Sequence, residues 1–185
     1  MRARWWSYIV YERGFIQKDK TFTLSFGGKN MAKFGFLDIL QEELEKNFNY
    51  DFEINWDKRN FAVEVSFLLE AENGEGVAVT DADGIESEEN IMYEDAVVFY
   101  NPAKSRYDKE AYLMGISYTD KGLSREFLSY FAKFLQETAD AGLDDLMDFL
   151  ADDEAEEFAV KWDADSFQVG LSALTETEFF KYPRY

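Results

Sequence analysis

Two runs of strict alternation, joined by the turn DKRN, constrain this chain more than anything else in it. In YDFEINWD, residues 50–57, Phe52, Ile54 and Trp56 alternate with Asp51, Glu53 and Asn55. In FAVEVSFLLEAE, residues 61–72, the same period continues through Phe61, Val63, Val65, Phe67 and Leu69. Successive side chains of a strand point to opposite faces, so one apolar set and one polar set mark a sheet with one face buried. The pair predicts an antiparallel hairpin in which Phe52, Trp56, Val63 and Val65 are largely buried.

Around that hairpin the pattern changes period. FLDILQEELEKNF places Phe36, Leu37, Leu40, Leu44 and Phe48 on one helical face with acids between them. NIMYEDAVVFYN and AYLMGISYT read as two further strands, joined by a loop containing Pro102, Lys104 and Arg106. A short strand is predicted at Val77 to Val79, within the Gly- and acid-rich connection 73–90. Ser124 is placed to cap a helix over REFLSYFAKFLQET, whose Phe127, Tyr130, Phe131, Phe134 and Leu135 repeat at three and four. A third helix is expected from about Leu143 to Ala151, followed by a closing hairpin of EFAVKW and FQVGLSAL around DADS. Without a βαβ rhythm, this order predicts an α+β fold: an antiparallel sheet of five to six strands with helices packed on it, in a single domain.

The first thirty residues stand apart. They carry six bases (Arg2, Arg4, Arg13, Lys18, Lys20, Lys29) against two acids (Glu12, Asp19), a net of +4, whereas the other 155 residues hold 13 bases and 36 acids, a net of −23. The peptide GGKNM, ending at Met31, can be encoded by GGAGG, an A-rich spacer and a start codon, the pattern of a bacterial ribosome-binding site. The expectation is that residues 1–30 are translated leader and that residues 31–185 form the domain. The alternative is a real turn at Gly27 and Gly28, after TFTLSF, which alternates like a strand. WWSYIVY, residues 5–11, is too short for a bilayer span and lacks a small-residue cleavage site.

The whole chain has a formal charge of −19, which disfavours direct binding to nucleic-acid phosphates or anionic lipid and favours cationic partners. Acidity of this degree often accompanies disorder, but 46% hydrophobic and 18% aromatic residues supply enough apolar side chain for a core. Cysteine is absent, in keeping with a reducing compartment, and the cytoplasm is the expected location. Histidine is absent too, which removes the usual imidazole base along with ordinary zinc sites. No nucleophile elbow, P-loop or dinucleotide fingerprint occurs, so no cofactor is expected and the chain does not read as an enzyme. VTDADGIESEEN looks like part of a calcium loop. If Gly84 takes position six, however, position one is Val79 and position twelve is Asn90, so the first ligand and the bidentate Glu are missing.

One spacing suggests more than composition does. Asp140, Asp144, Asp148 and Asp152 recur every four residues, on a different face from Leu143, Leu146, Met147 and Leu150. Like charges at that spacing cost a helix a few tenths of a kcal/mol per pair, roughly, and a basic partner protein could offset the cost. The simpler reading is a solvated face, with Asp140 and Asp144 helped by the positive end of the helix dipole. The aromatic tail EFFKYPRY is expected to dock on the domain's own sheet.

GFLDILQEELEKNF, NWDKRNFAVEVSF and DDLMDFLADDEAEEF together resemble a family of small acidic cytoplasmic proteins of unknown function from low-GC Gram-positive bacteria, over about residues 31–185. The resemblance implies no catalytic or binding residues. The element order is also similar to α+β secretion chaperones, an analogy of fold alone. The reading that follows is a non-catalytic protein-binding module, adaptor-like or chaperone-like. An acidic nucleic-acid mimic that binds basic proteins and a carboxylate-metal enzyme are the alternatives.

Overall fold

Gly35 turns the chain into its first helix with a φ of 60°, a conformation open to glycine at little cost. In the computed structural model, which describes residues 4–5, 34–74, 79–80, 86–87, 90–152, 154–155 and 157–183, helix α1 then runs over Phe36–Asn47. It buries Phe36, Leu37, Ile39, Leu40 and Leu44, the face its spacing sets out. TFTLSF, WWSYIVY and the acidic loop around Asp81, Asp83 and Gly84 lie outside the described residues, apart from Trp5.

The paired alternation becomes the hairpin of strands β2 (Phe52–Asp57) and β3 (Ala62–Ala71), antiparallel with Phe52 opposite Phe67 and Asp57 opposite Ala62. Asp57 shapes the turn by accepting hydrogen bonds from the backbone N–H groups of Arg59 and Asn60. β6 (Ile91–Tyr100) pairs antiparallel with β3 along its whole length. β7 (Met114–Ser117) then lies parallel to β6, giving the order β2-β3-β6-β7. The sheet is therefore mixed rather than wholly antiparallel: residues 101–113 cross the sheet's outer face instead of making a tight turn. Tyr112 donates to Glu64 on that face, and Gly115 leaves room for the Tyr107 ring. Among the described residues, two-residue ladders add to the strand pairing: β1 (Arg4–Trp5), β4 (Val79–Thr80) and β5 (Glu86–Ser87) form one set, β8 (Leu123–Ser124) and β9 (Phe179–Phe180) another.

Ser124 caps α2 as its sequence position suggests, accepting from the N–H of Phe127 at 3.0 Å. The helix is one element, Arg125–Ala151, and not the two that were expected. Gly142, in the gap between the two expected helices, sits in mid-helix, where a Cβ would come within 2.9 Å of a Val160 methyl and 3.2 Å of a Leu69 methyl. Its role is close packing. The buried face runs unbroken through Phe131, Leu135, Ala139, Gly142, Leu146 and Phe149. α1 and α2 cover the inner sheet face, where Phe99 meets Phe131 edge-on at 4.9 Å. Full burial of such side chains contributes about 1.5–3 kcal/mol each.

The closing hairpin of EFAVKW and FQVGLSAL does not form. Residues 157–163 are irregular, and helix α3 covers Ala164–Ser172, capped by Asp163, which accepts from both the N–H and the hydroxyl of Ser166. Eight residues are too few to separate a period of two from one of three to four. Burial separates them here: Phe167 is 5% exposed and Val169 is 71% exposed. Phe167 enters an aromatic cluster with Phe134 at 5.0 Å and Trp162 at 5.0 Å. Val63 and Val65 are fully buried as expected, while Phe52 and Trp56, on the edge strand, are half-buried. The aromatic tail does dock on its own domain: the Lys181 carbonyl accepts from the N–H of Phe36, and Tyr182 stacks on Tyr118 at 5.1 Å.

Candidate functional site

The aspartate stripe divides into two parts that the chain uses differently. Asp140 is held by structure. Its Oδ1 accepts from the Tyr50 hydroxyl at 2.7 Å and from Gln136 Nε2 at 2.8 Å, while Gln136 Oε1 accepts from the N–H of Asn49. Asp140 thus ties the α1–β2 connection to α2. Burial first, and then the hydrogen bond and negative charge of Asp140, raise the Tyr50 hydroxyl above its usual pKa. Because α2 begins at Arg125, Asp140 and Asp144 stand in mid-helix, too far from the N-terminus to gain from its positive end. The helix dipole therefore gives them none of the help expected for a helix starting near Leu143.

Asp148 and Asp152 belong to a groove. It opens between the last two turns of α2 (Asp145, Asp148, Phe149 and the capping residue Asp152) and the returning segment, where Ala155, Glu157, Phe158, Ala159 and Lys161 line it, and its volume is about 480 Å³. Phe149 and Phe158, both 5% exposed and 6.0 Å apart, form its base, and Phe158 rests edge-on against Tyr93 at 5.0 Å. Asp145, Asp148, Asp152 and Glu157 supply the acidic rim. Lys161 is the cation among the lining residues, 3.5 Å from Asp145 on an exposed surface where such a pair contributes little.

The rim carries charge of the unfavourable sign for its position. A helix C-terminus bears partial negative charge, and a carboxylate there is disfavoured by about 0.3–1 kcal/mol. The last turn of α2 contains no basic residue to offset this. A cation in the groove would meet the carboxylates, the helix dipole and an apolar base together. Among the described residues, no group of three or more acids is arranged to hold a metal ion. The rim carboxylates line the walls instead of converging on a point.

Spacing alone located Asp148 and Asp152 but missed Asp145, Glu157 and both phenylalanines. Met147, read as part of the apolar face, is 57% exposed, because the buried face follows Gly142, Leu146, Phe149 and Leu150. The signal available was Phe149 itself, an aromatic between aspartates on an otherwise acidic helix end.

Residues 31–184 match the family described as Protein of unknown function (DUF3013). The chain belongs to that family. A solved structure similar to it, a conserved protein of unknown function from Enterococcus faecalis, is 39% identical, with a TM-score of 0.72 over 85% of this chain and 100% of the other. No curated protein matches the chain. The DUF3013 match spans all of α1, α2 and the groove-lining residues, so the site lies within the matched stretch and not in the basic segment before it. Among the described residues, no helix is long and apolar enough to cross a membrane.

Replacing Asp144 and Asp148 together by asparagine keeps side-chain size and removes charge. Stability is expected to stay unchanged or to rise by about 0.5 kcal/mol, more at low salt, because both acids are exposed and repel each other four residues apart, and Asp148 stands in the last turn at the negative end of the dipole. Thermal melts at low and high salt read this directly. A loss of stability would show that these acids are engaged in the folded chain.

Proposed function

We propose that this protein is a non-catalytic protein-binding module, adaptor-like or chaperone-like, whose groove beside the end of α2 takes a basic, partly aliphatic segment of a partner protein. The observation that supports the reading most is the joining of an apolar base, Phe149 and Phe158, to four rim acids at an uncompensated helix C-terminus. Arginine and lysine suit such a site because their stems are apolar and their heads are charged. Asp148 and Asp152 at the negative end of the dipole work against the stability of the free protein, a cost that a bound cation relieves. The net charge of −19 supports a basic protein as partner over a nucleic acid or an anionic membrane. The absence of cysteine is in keeping with the cytoplasm as its place of action.

Calorimetric titration with a Leu-Arg-Leu-Arg amide tests the proposal. Binding by wild type is expected to weaken at least about tenfold in the variant Asp145→Asn/Asp148→Asn/Asp152→Asn, where three of the four rim charges are gone. It should be abolished by Ala159→Arg, which puts a competing cation into the groove from an exposed lining position. Equal affinity for wild type and both variants would refute the groove as the site.

A further inference from the structure

We infer that the open edge of β2 is a second docking site, one that adds an extended segment of a partner protein, with basic residues at alternate positions, as a further strand. Among the described residues, β2 is the terminal strand of its sheet. Which of its main-chain groups face outward follows from one hydrogen bond: the N–H of Leu68 donates to the Asp51 carbonyl at 3.0 Å. Antiparallel pairs alternate between bonded and non-bonded. With Glu53 opposite Ser66 and Asn55 opposite Glu64, those residues spend their N–H and C=O groups on β3, while the groups of Phe52 and Ile54 point away from the sheet. Among the described residues, nothing outside the hairpin hydrogen-bonds to the main chain of Phe52 or Ile54.

Natural edges are usually blunted by a bulge, a proline, a lysine or shortness. β2 has six residues in unbroken register with β3 and contains neither Pro nor Lys. Its inner-facing Phe52 and Ile54 are only half-buried, so the sheet's apolar face continues to the edge without being finished. Its other face presents Glu53 and Asp57, with Asp51 just before the strand, all exposed. The occupant is set by this combination. An added strand that places small apolar residues beside Phe52 and Ile54 places the alternate residues beside Glu53 and Asp57, where lysine or arginine gains and an acid is repelled. A second copy of this chain would bring the same acids to the same row, between molecules that each carry −19. The edge therefore selects against itself and for a basic strand. This inference rests on the hairpin register and not on the groove, and it stands or falls separately.

The test is fluorescence anisotropy of a labelled Val-Lys-Val-Lys-Val-Lys-Val peptide with the full chain. Two further versions of the peptide are N-methylated at the valines or at the lysines. Strand addition uses one alternate set of peptide amides and leaves the other in water, so one methylated version is expected to lose binding while the other stays within about twofold of the parent. Glu53→Lys is expected to weaken the parent peptide about tenfold without altering the fold read by circular dichroism. Asp145→Asn/Asp148→Asn/Asp152→Asn should weaken it by less than Glu53→Lys does, since the groove is a separate site. The inference is overturned if the parent peptide does not bind, if both methylated peptides bind like the parent or lose binding equally, or if the groove variant weakens binding as much as Glu53→Lys does.

Discussion

Arg125→Ala should lower the unfolding free energy by about 3 kcal/mol, measured by denaturant titration, although the residue stands on the surface end of a helix. The guanidinium joins three elements: it reaches Glu42 at 3.0 Å and Glu43 at 3.1 Å on α1, and Glu178 at 3.3 Å in the segment leading to β9. Glu43 decides the size of the effect. Its side chain is 6% exposed, and without Arg125 its remaining side-chain hydrogen bond is the one Asn47 donates at 3.2 Å. A buried carboxylate that loses its cation costs more than the pair contributed. Arg125 is itself 35% exposed, which keeps the figure at the low end of the range for buried pairs. Adding Glu43→Gln to the variant should recover part of the loss, because the stranded charge is then removed, and a double-mutant cycle would read that coupling. A loss below about 1 kcal/mol for Arg125→Ala would mean that the three acids find water instead.

The second large effect belongs to Tyr182. The tail inserts this ring among Phe36 at 5.9 Å, Phe61 at 5.9 Å and Trp56 at 6.1 Å, parallel to Tyr118, and its hydroxyl accepts from Trp56 Nε1 at 2.6 Å. Tyr182→Ala should cost about 3 kcal/mol, within the range for aromatic truncation. Trp56 fluorescence should shift to the red as the indole gains water. Gly35→Ala should act on the same contact by another route. A Cβ there would fall 2.0 Å from the Lys181 carbonyl oxygen, at a positive φ that alanine rarely adopts, so the tail must move. If Gly35→Ala leaves the Trp56 emission unchanged, the tail is not held where the structure places it.

These two contacts show where sequence reading reaches its limit. The β2–β3 hairpin was legible because its apolar residues keep one period over two neighbouring runs, and α1 because Phe36 through Leu44 repeat without interruption. The parallel placement of β7 was not, since four residues carry no direction. α2 reads as two helices with residues 139–142 between them, because the purpose of Gly142 lies with Val160 and Leu69, residues distant in the chain. α3 was mistaken for a strand because FQVGLSAL fits either period. The stripe was half legible: its four-residue spacing is real, but only contact with Tyr50 reveals that Asp140 is committed to structure. Of the groove only Asp148 and Asp152 were legible, because Phe149 and Phe158 meet across a reversal of the chain that no local pattern records.

The proposed function requires the groove, and not acidity in general, to recognise a short segment that joins aliphatic side chains to arginine. Amide chemical-shift mapping on the full chain, during titration with the Leu-Arg-Leu-Arg amide, locates that recognition residue by residue. The shifts are expected to concentrate on the groove-lining residues between 145 and 161 and to disappear in Asp145→Asn/Asp148→Asn/Asp152→Asn. Shifts spread evenly over exposed acids far from the groove, such as Asp120 and Asp165, or an identical response from wild type and variant, would overturn it.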